Sequence, residues 1–223
     1  MAAFRLFAAD FYWEEAEVFA SGQGSFPVSA YSDDFSVIAW QEVSANNDPR
    51  TAASGFINIY LAVREPGAEW ERRGMVAGPY AYSGTEPSII SLIIDNRGRI
   101  MIAAASGSQT EILISNDRGY NFSRQSINMG EVNSVAPRIF VRADGGYLLF
   151  VTRSLSQSLS IYYSRSNDGI NWSPLEFFTP ENSMALNFLP AHSSSGRRDI
   201  VFYQSLSMGI DSAATFQLYF KIS

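Results

Sequence analysis

Apolar residues recur along the chain in short runs of four to seven positions. Polar clusters rich in Gly, Asp, Asn and Ser separate them. The runs are β-branched and aromatic, as in Arg138-Ile139-Phe140-Val141 and Tyr147-Leu148-Leu149-Phe150-Val151. No stretch sustains an apolar period of 3.6 residues, so the pattern predicts strands and almost no helix. Asp144-Gly145-Gly146 joins the two runs just quoted, and Asp95-Asn96-Arg97-Gly98 joins an equivalent pair. Asp and Gly between apolar runs are a hairpin signal, because Gly takes positive φ and Asp caps the turn. Ser32-Asp33-Asp34 and Ser194-Ser195-Gly196 complete a set of four predicted hairpins.

The runs repeat with a period of about fifty residues. Pro27, Pro87, Pro137 and Pro190 each open one, at spacings of 60, 50 and 53. Trp70, Phe122 and Trp172 follow a glycine by three residues and lie 52 and 50 apart. After each hairpin a third strand is expected: Phe56 to Val63, Glu111 to Ser115, Ser158 to Ser164 and Phe216 to Ile222. A fourth follows the aromatic, as at Arg73 to Ala77 and Leu175 to Phe178. Four antiparallel strands at this period define a propeller blade. The units run roughly over 21–78, 79–128, 129–180 and 181–223, with 11–20 as a stray outer strand. One domain or propeller segment then covers 1–223.

One phrase occurs twice. Ser115-Asn116-Asp117-Arg118-Gly119-Tyr120-Asn121-Phe122 is echoed by Ser166-Asn167-Asp168-Gly169-Ile170-Asn171-Trp172. It resembles the Asp box of the sialidase-like, BNR-repeat β-propeller superfamily. Ser115, Asp117, Gly119 and Phe122 match it, as do Ser166, Asp168, Gly169 and Trp172 in a copy one residue shorter. Arg64 to Trp70 is a degenerate copy that keeps Gly67 and Trp70. The resemblance implies an all-β propeller of four-stranded antiparallel blades, about four of them in this chain. It also implies a structural task for the box, on the face opposite any ligand site, so Asp117 and Asp168 are not expected to be catalytic. Phe122 and Trp172 are expected as buried blade aromatics.

The ends of the repeat are uneven. Leu218 to Ser223 aligns with Ile161 to Ser166, so the fourth unit has no outer strand of its own. Trp13 to Ala20 reads as an outer strand without a blade. Either this segment closes a ring of four, or the chain belongs to a larger propeller completed by another polypeptide or a second copy. The second account is the one favoured here, because in the resembling family a propeller this small rarely carries Asp boxes; an open strand edge at each broken blade would invite such pairing.

On this topology one face gathers the loops entering each first strand and the loops between second and third strands. They carry Glu42, Asp48, Arg50, Glu86, Arg153, Tyr203 and Asp211. The candidates for catalysis are Glu42, Arg153, Tyr203 and Asp211, and those for binding are Arg50, Glu86 and Arg153. A sialidase resemblance calls for three carboxylate-gripping arginines, the first in an Arg-Ile-Pro phrase. The chain has Ser25-Phe26-Pro27 there. The expected function is therefore glycan or protein binding and assembly, the alternative being part of an exo-sialidase-type glycoside hydrolase.

Composition narrows the remainder. The 223 residues are 46% hydrophobic, ample for a core, and none is cysteine. That leaves no disulfide framework or thiolate metal site. The lone His192 and the scattered acids have no metal-ligand spacing, and Gly22-Gln23-Gly24 lacks the context of a phosphate loop, so no cofactor or metal is expected. A net charge of −6 disfavours nucleic acid. No run of 18 apolar residues predicts a membrane span. A secreted, periplasmic or cell-surface setting is expected.

Overall fold

The computed structural model describes residues 24–45, 55–82, 89–106, 108–128, 134–155, 158–178, 191–195, 198–208 and 214–222. After residue 190, and at Arg153, the backbone course alone is described. The described residues hold fifteen strands and no helix. The first sheet contains β1 (Gly24–Tyr31), β2 (Ser36–Ala45), β3 (Gly55–Arg64) and β4 (Glu71–Tyr82). The second contains β5 (Ile90–Ile94), β6 (Ile100–Ser106), β7 (Gln109–Ser115) and β8 (Ser123–Asn128). β9 (Ser134–Val141), β10 (Tyr147–Leu155), β11 (Ser158–Ser166) and β12 (Glu176–Phe177) form the third. β13 (Ala191–Ser195), β14 (Arg198–Met208) and β15 (Ala214–Ile222) form the fourth. All strands pair antiparallel with their sequence neighbours.

The alternation of side chains builds the core between sheets. Val37 and Ala39 of β2 and Ile57, Ile59, Leu61 and Val63 of β3 face the second sheet. They meet Ile100, Ile102 and Ala104 of β6 there. The other parity of the same strand, Met101 and Ala103, packs with Ile112 and Ile114 against Ile139, Tyr147 and Leu149 of the third sheet. The second sheet is thus buried on both faces, which is why Ile100 to Ala105 reads as an unbroken apolar run. Among the first three sheets the first strands touch in order, β1 on β5 and β5 on β9. These strands line the inner edge of the assembly, and successive sheets stack around it.

Two prolines lie inside first strands rather than at their openings. The ladder steps from Ser25↔Gln41 to Val28↔Ala39, so Phe26 and Pro27 together oppose Trp40. It steps likewise from Arg138↔Phe150 to Val135↔Thr152, leaving Ala136 and Pro137 opposite Val151. Two residues against one is a β-bulge. A proline is tolerated there because this is an edge strand and the bulge needs no ladder N–H. Phe26 and Ala136 each adopt a positive φ, 51° and 47°.

Candidate functional site

The chain crosses each sheet so that its loops divide between two faces. One face carries the β1–β2, β5–β6 and β9–β10 hairpins and the turns after β3, β7 and β11. The opposite, entry face carries the approaches to β5 and β9 and the connections from second to third strands.

On the turn face the repeated phrase folds the same way twice. Ser115 Oγ accepts the N–H of Gly119 at 2.8 Å and donates to Asp117 Oδ1 at 2.7 Å. Asp117 also accepts the Asn121 N–H at 2.9 Å and its Nδ2 at 2.7 Å. In the shorter copy Ser166 Oγ accepts from Gly169 at 2.9 Å. Asp168 accepts the N–H groups of Ile170 and Asn171 at 2.7 and 2.8 Å. Those bonds hold the Asp117 carboxyl at about 2 and push that of Asp168 further down. Both carboxylates are consumed by their own turns.

Each turn is also fastened to the preceding sheet. Arg73 of β4 donates from Nε to the Arg118 carbonyl at 3.1 Å, and its guanidinium lies 3.8 Å from the Tyr120 ring centre. Arg99, at the start of β6, donates from Nη2 to the Asp168 carbonyl at 3.0 Å. Gly119 and Gly169 have φ of 84° and 80°. A Cβ on them would meet Leu61 Cδ2 at 2.5 Å and Met101 Cε at 2.8 Å. Glycine therefore permits both the left-handed turn and its close seating on the neighbouring sheet. Phe122 and Trp172 are partly rather than fully buried, each packed at the edge of an inter-sheet core.

Three of the sequence-predicted site residues, Glu42, Arg153 and Tyr203, fall within described strands, each in a different sheet. Glu42 lies near the entry end of β2, on the side of the first sheet facing away from the second. Its Oε1 accepts from Trp40 Nε1 at 2.8 Å and lies 3.9 Å from Arg72 Nη2. Arg153 stands in β10 opposite Ser134 and Ser160, and Tyr203 in β14 opposite Tyr219. Asp48, Arg50, Glu86 and Asp211 lie outside the described residues, as does the segment Trp13 to Ala20.

Three further features of the entry face were not singled out from sequence. The buried Gln41 side chain accepts the N–H of Ile89 at 3.0 Å, joining first and second sheets. Tyr80, a further link between the same two sheets, donates to Glu111 Oε2 at 2.7 Å, and burial and that bond raise its pKa. Arg138, after the bulge in β9, sends Nη1 to the carbonyls of Pro137 at 2.9 Å and Ile90 at 3.4 Å. Burial lowers its pKa. The sequence did carry a signal for it, an arginine directly after the repeat proline where the other units have Val28, Ser88 and Ala191.

Solved structures similar to this chain include glycoside hydrolases and a Dyadobacter fermentans protein of unknown function. The GH93 α-L-arabinofuranosidase of Fusarium graminearum in complex with arabinobiose aligns over 90% of this chain, with a TM-score of 0.62 at 14% identity. The Penicillium chrysogenum α-L-arabinanase complexed with arabinobiose aligns with a TM-score of 0.61, also at 14% identity and over 90% of the chain. The Clostridium thermocellum GH43 α-L-arabinofuranosidase gives 0.57 at 12% identity over 92% of this chain and 70% of its own. The fold is a β-propeller. At such identities the likeness is one of architecture. The chain spans 62% and 63% of the length of the Fusarium and Penicillium proteins. No protein-family model and no curated protein matches the sequence.

Proposed function

We propose that this chain is a sialidase-like propeller module whose entry face binds glycan, completed by another polypeptide or a second copy of itself. The observation that carries the reading is Phe26. The residue is 47% exposed, on the inner strand of the first sheet, at a bulge where it adopts a positive φ of 51°. A non-glycine residue pays a conformational cost to sit there, and bulges of this kind re-aim side chains beside binding sites. An exposed aromatic face at the mouth of a propeller suits the apolar face of a sugar ring. The turn face, by contrast, spends its repeated polar groups on holding sheets together.

A second reading, part of a glycoside hydrolase acting on sialylated or other glycans, draws on the likeness to arabinofuranosidase and arabinanase structures. Hydrolysis requires two carboxyl groups flanking the scissile bond. Glu42 and Glu111 are engaged by Trp40 and Tyr80 on different faces of the first sheet.

Calorimetric titration with arabinobiose and sialyllactose, run beside chromatographic analysis of products, separates the two. Binding without product, abolished by Phe26→Ala in a protein that keeps its far-ultraviolet spectrum, is the expected result. Product release that disappears in Arg153→Ala establishes the hydrolase instead.

A further inference from the structure

We infer that Glu42 and Arg72 are the hydroxyl-binding pair beside Phe26, so that the module selects neutral sugars over acidic and amino sugars. The inference rests on the glycan-binding reading and adds two binding residues and the class of ligand.

The ladder of the first sheet brings these groups together. Ala39 and Gln41 of β2 point to the second sheet, so Trp40 and Glu42 point the other way. Tyr60 stands opposite Trp40 on β3 and stacks on it, with ring centres 5.8 Å apart. Arg72 of β4 reaches across β3 to the same face. Its guanidinium lies 5.3 Å from the Trp40 ring centre and 3.9 Å from Glu42 Oε1. On the other flank of β2, Glu42 opposes Gly24 of β1, and the Phe26–Pro27 bulge opposes Trp40. Phe26 follows Gly24 by two residues, about 7 Å of strand.

Both groups are held in place without being consumed by each other. Glu42 Oε1 accepts from Trp40 Nε1 at 2.8 Å, and that indole is buried, so the carboxylate has a fixed anchor. Arg72 is steadied by its place over the same indole. Yet 3.9 Å between Arg72 Nη2 and Glu42 Oε1 exceeds the length of a hydrogen bond. Both side chains are also partly open to solvent. A sugar hydroxyl donates and accepts at once. It can therefore accept from Arg72 while donating to Glu42, and the exposed Phe26 ring is in reach of the same sugar.

Charge then decides the class of ligand. A negative and a positive group stand side by side, and hydrogen bonds to either are charge-assisted. A sugar carboxylate entering here meets Glu42, and a sugar ammonium meets Arg72. Like charges placed together are costly, and that cost excludes as effectively as good contacts select. An uncharged polyol satisfies both groups and opposes neither.

The test titrates galactose, galacturonate and galactosamine in its ammonium form against the full chain and two variants, Glu42→Gln and Arg72→Gln. Each variant removes one charge and keeps a polar group of similar shape, and an unchanged melting temperature shows that it is folded. The parent is expected to bind galactose about tenfold more tightly than either charged sugar. In Glu42→Gln the preference over galacturonate should shrink to within about twofold while that over galactosamine persists. Arg72→Gln should do the reverse. A pair that only supports the sheet would weaken all three sugars in parallel, and that outcome overturns the inference. So does a charged sugar that binds the parent as tightly as galactose; this arm needs no variant and leaves glycan binding standing. Failure of every sugar to bind overturns the glycan reading with it.

Discussion

The Tyr147 hydroxyl, on the third sheet, donates a 2.7 Å hydrogen bond to Asp95 Oδ2 in the hairpin of the second, 52 residues away. The same oxygen accepts Arg99 Nε at 2.7 Å, and Asp95 Oδ1 accepts the N–H groups of Arg97 and Arg99 at 2.9 Å. Arg99 continues to the Tyr147 hydroxyl at 2.5 Å and to the Asp168 carbonyl. One buried carboxylate thereby ties its own hairpin, the next sheet and that sheet's Ser166–Trp172 turn into a single network. Burial and the bond to Asp95 raise the Tyr147 pKa, so the phenol remains a donor near neutral pH.

Removing that donor should weaken the whole stack. Tyr147→Phe leaves the ring packed and takes one hydrogen bond from a buried carboxylate, for an expected loss of about 1–3 kcal/mol. Asp95→Ala strands the nearly buried Arg99 and should cost roughly 3–5 kcal/mol. Urea denaturation reads both, and the prediction fails if Asp95→Ala is the milder change.

Acid should unfold the protein through the same groups. Burial raises the Asp95 pKa, but hydrogen bonds from Tyr147, Arg99 and Arg97 outweigh it and leave it below 3.8. Asp117 stands at about 2, and Asp168 lower still, through bonds from Asn121 and from Asn171 and Ile170. Folded values below the unfolded value mean that the stabilisation is complete above about pH 4 and is lost as pH falls toward 2. The urea midpoint should decline over that window, and less steeply in an Asp117→Asn, Asp168→Asn double variant. An acid limb of identical slope in that variant would refute the assignment.

Gly119→Ala is expected to cost at least about 2 kcal/mol. The left-handed backbone accounts for about 1–2 kcal/mol of that, and a Cβ 2.5 Å from the buried Leu61 side chain for the rest. A melting temperature within a degree of the parent would show that the turn is not seated on the first sheet.

Trp172→Ala should cost about 2 kcal/mol, less than the ~3–5 kcal/mol of a fully buried aromatic, because the ring is only partly covered. Its Nε1 donates to the Gly169 carbonyl at 3.1 Å, within its own turn. Glycan affinity of the folded variant should match the parent, since the residue lies on the opposite face. A changed affinity at unchanged stability would place the ligand on the turn face.

Strand order was legible in the chain because it depends on local events. Alternating or continuous apolar runs and Asp-Gly turns are properties of a few adjacent residues, and the fifty-residue period repeats them. The predicted strands at Phe56 to Val63 and Glu111 to Ser115 accordingly lie within β3 and β7. What joins one sheet to the next was not legible. Gln41 meets Ile89, Arg73 meets Arg118 and Tyr147 meets Asp95 across separations of 45 to 52 residues. No local pattern marks a Gln, an Arg or a Tyr for such a task, because the partner exists only once the sheets have stacked. The same holds for the bulge at Phe26. A bulge is two residues on one strand against one on its neighbour, so it is defined by pairing and appears only in the folded ladder.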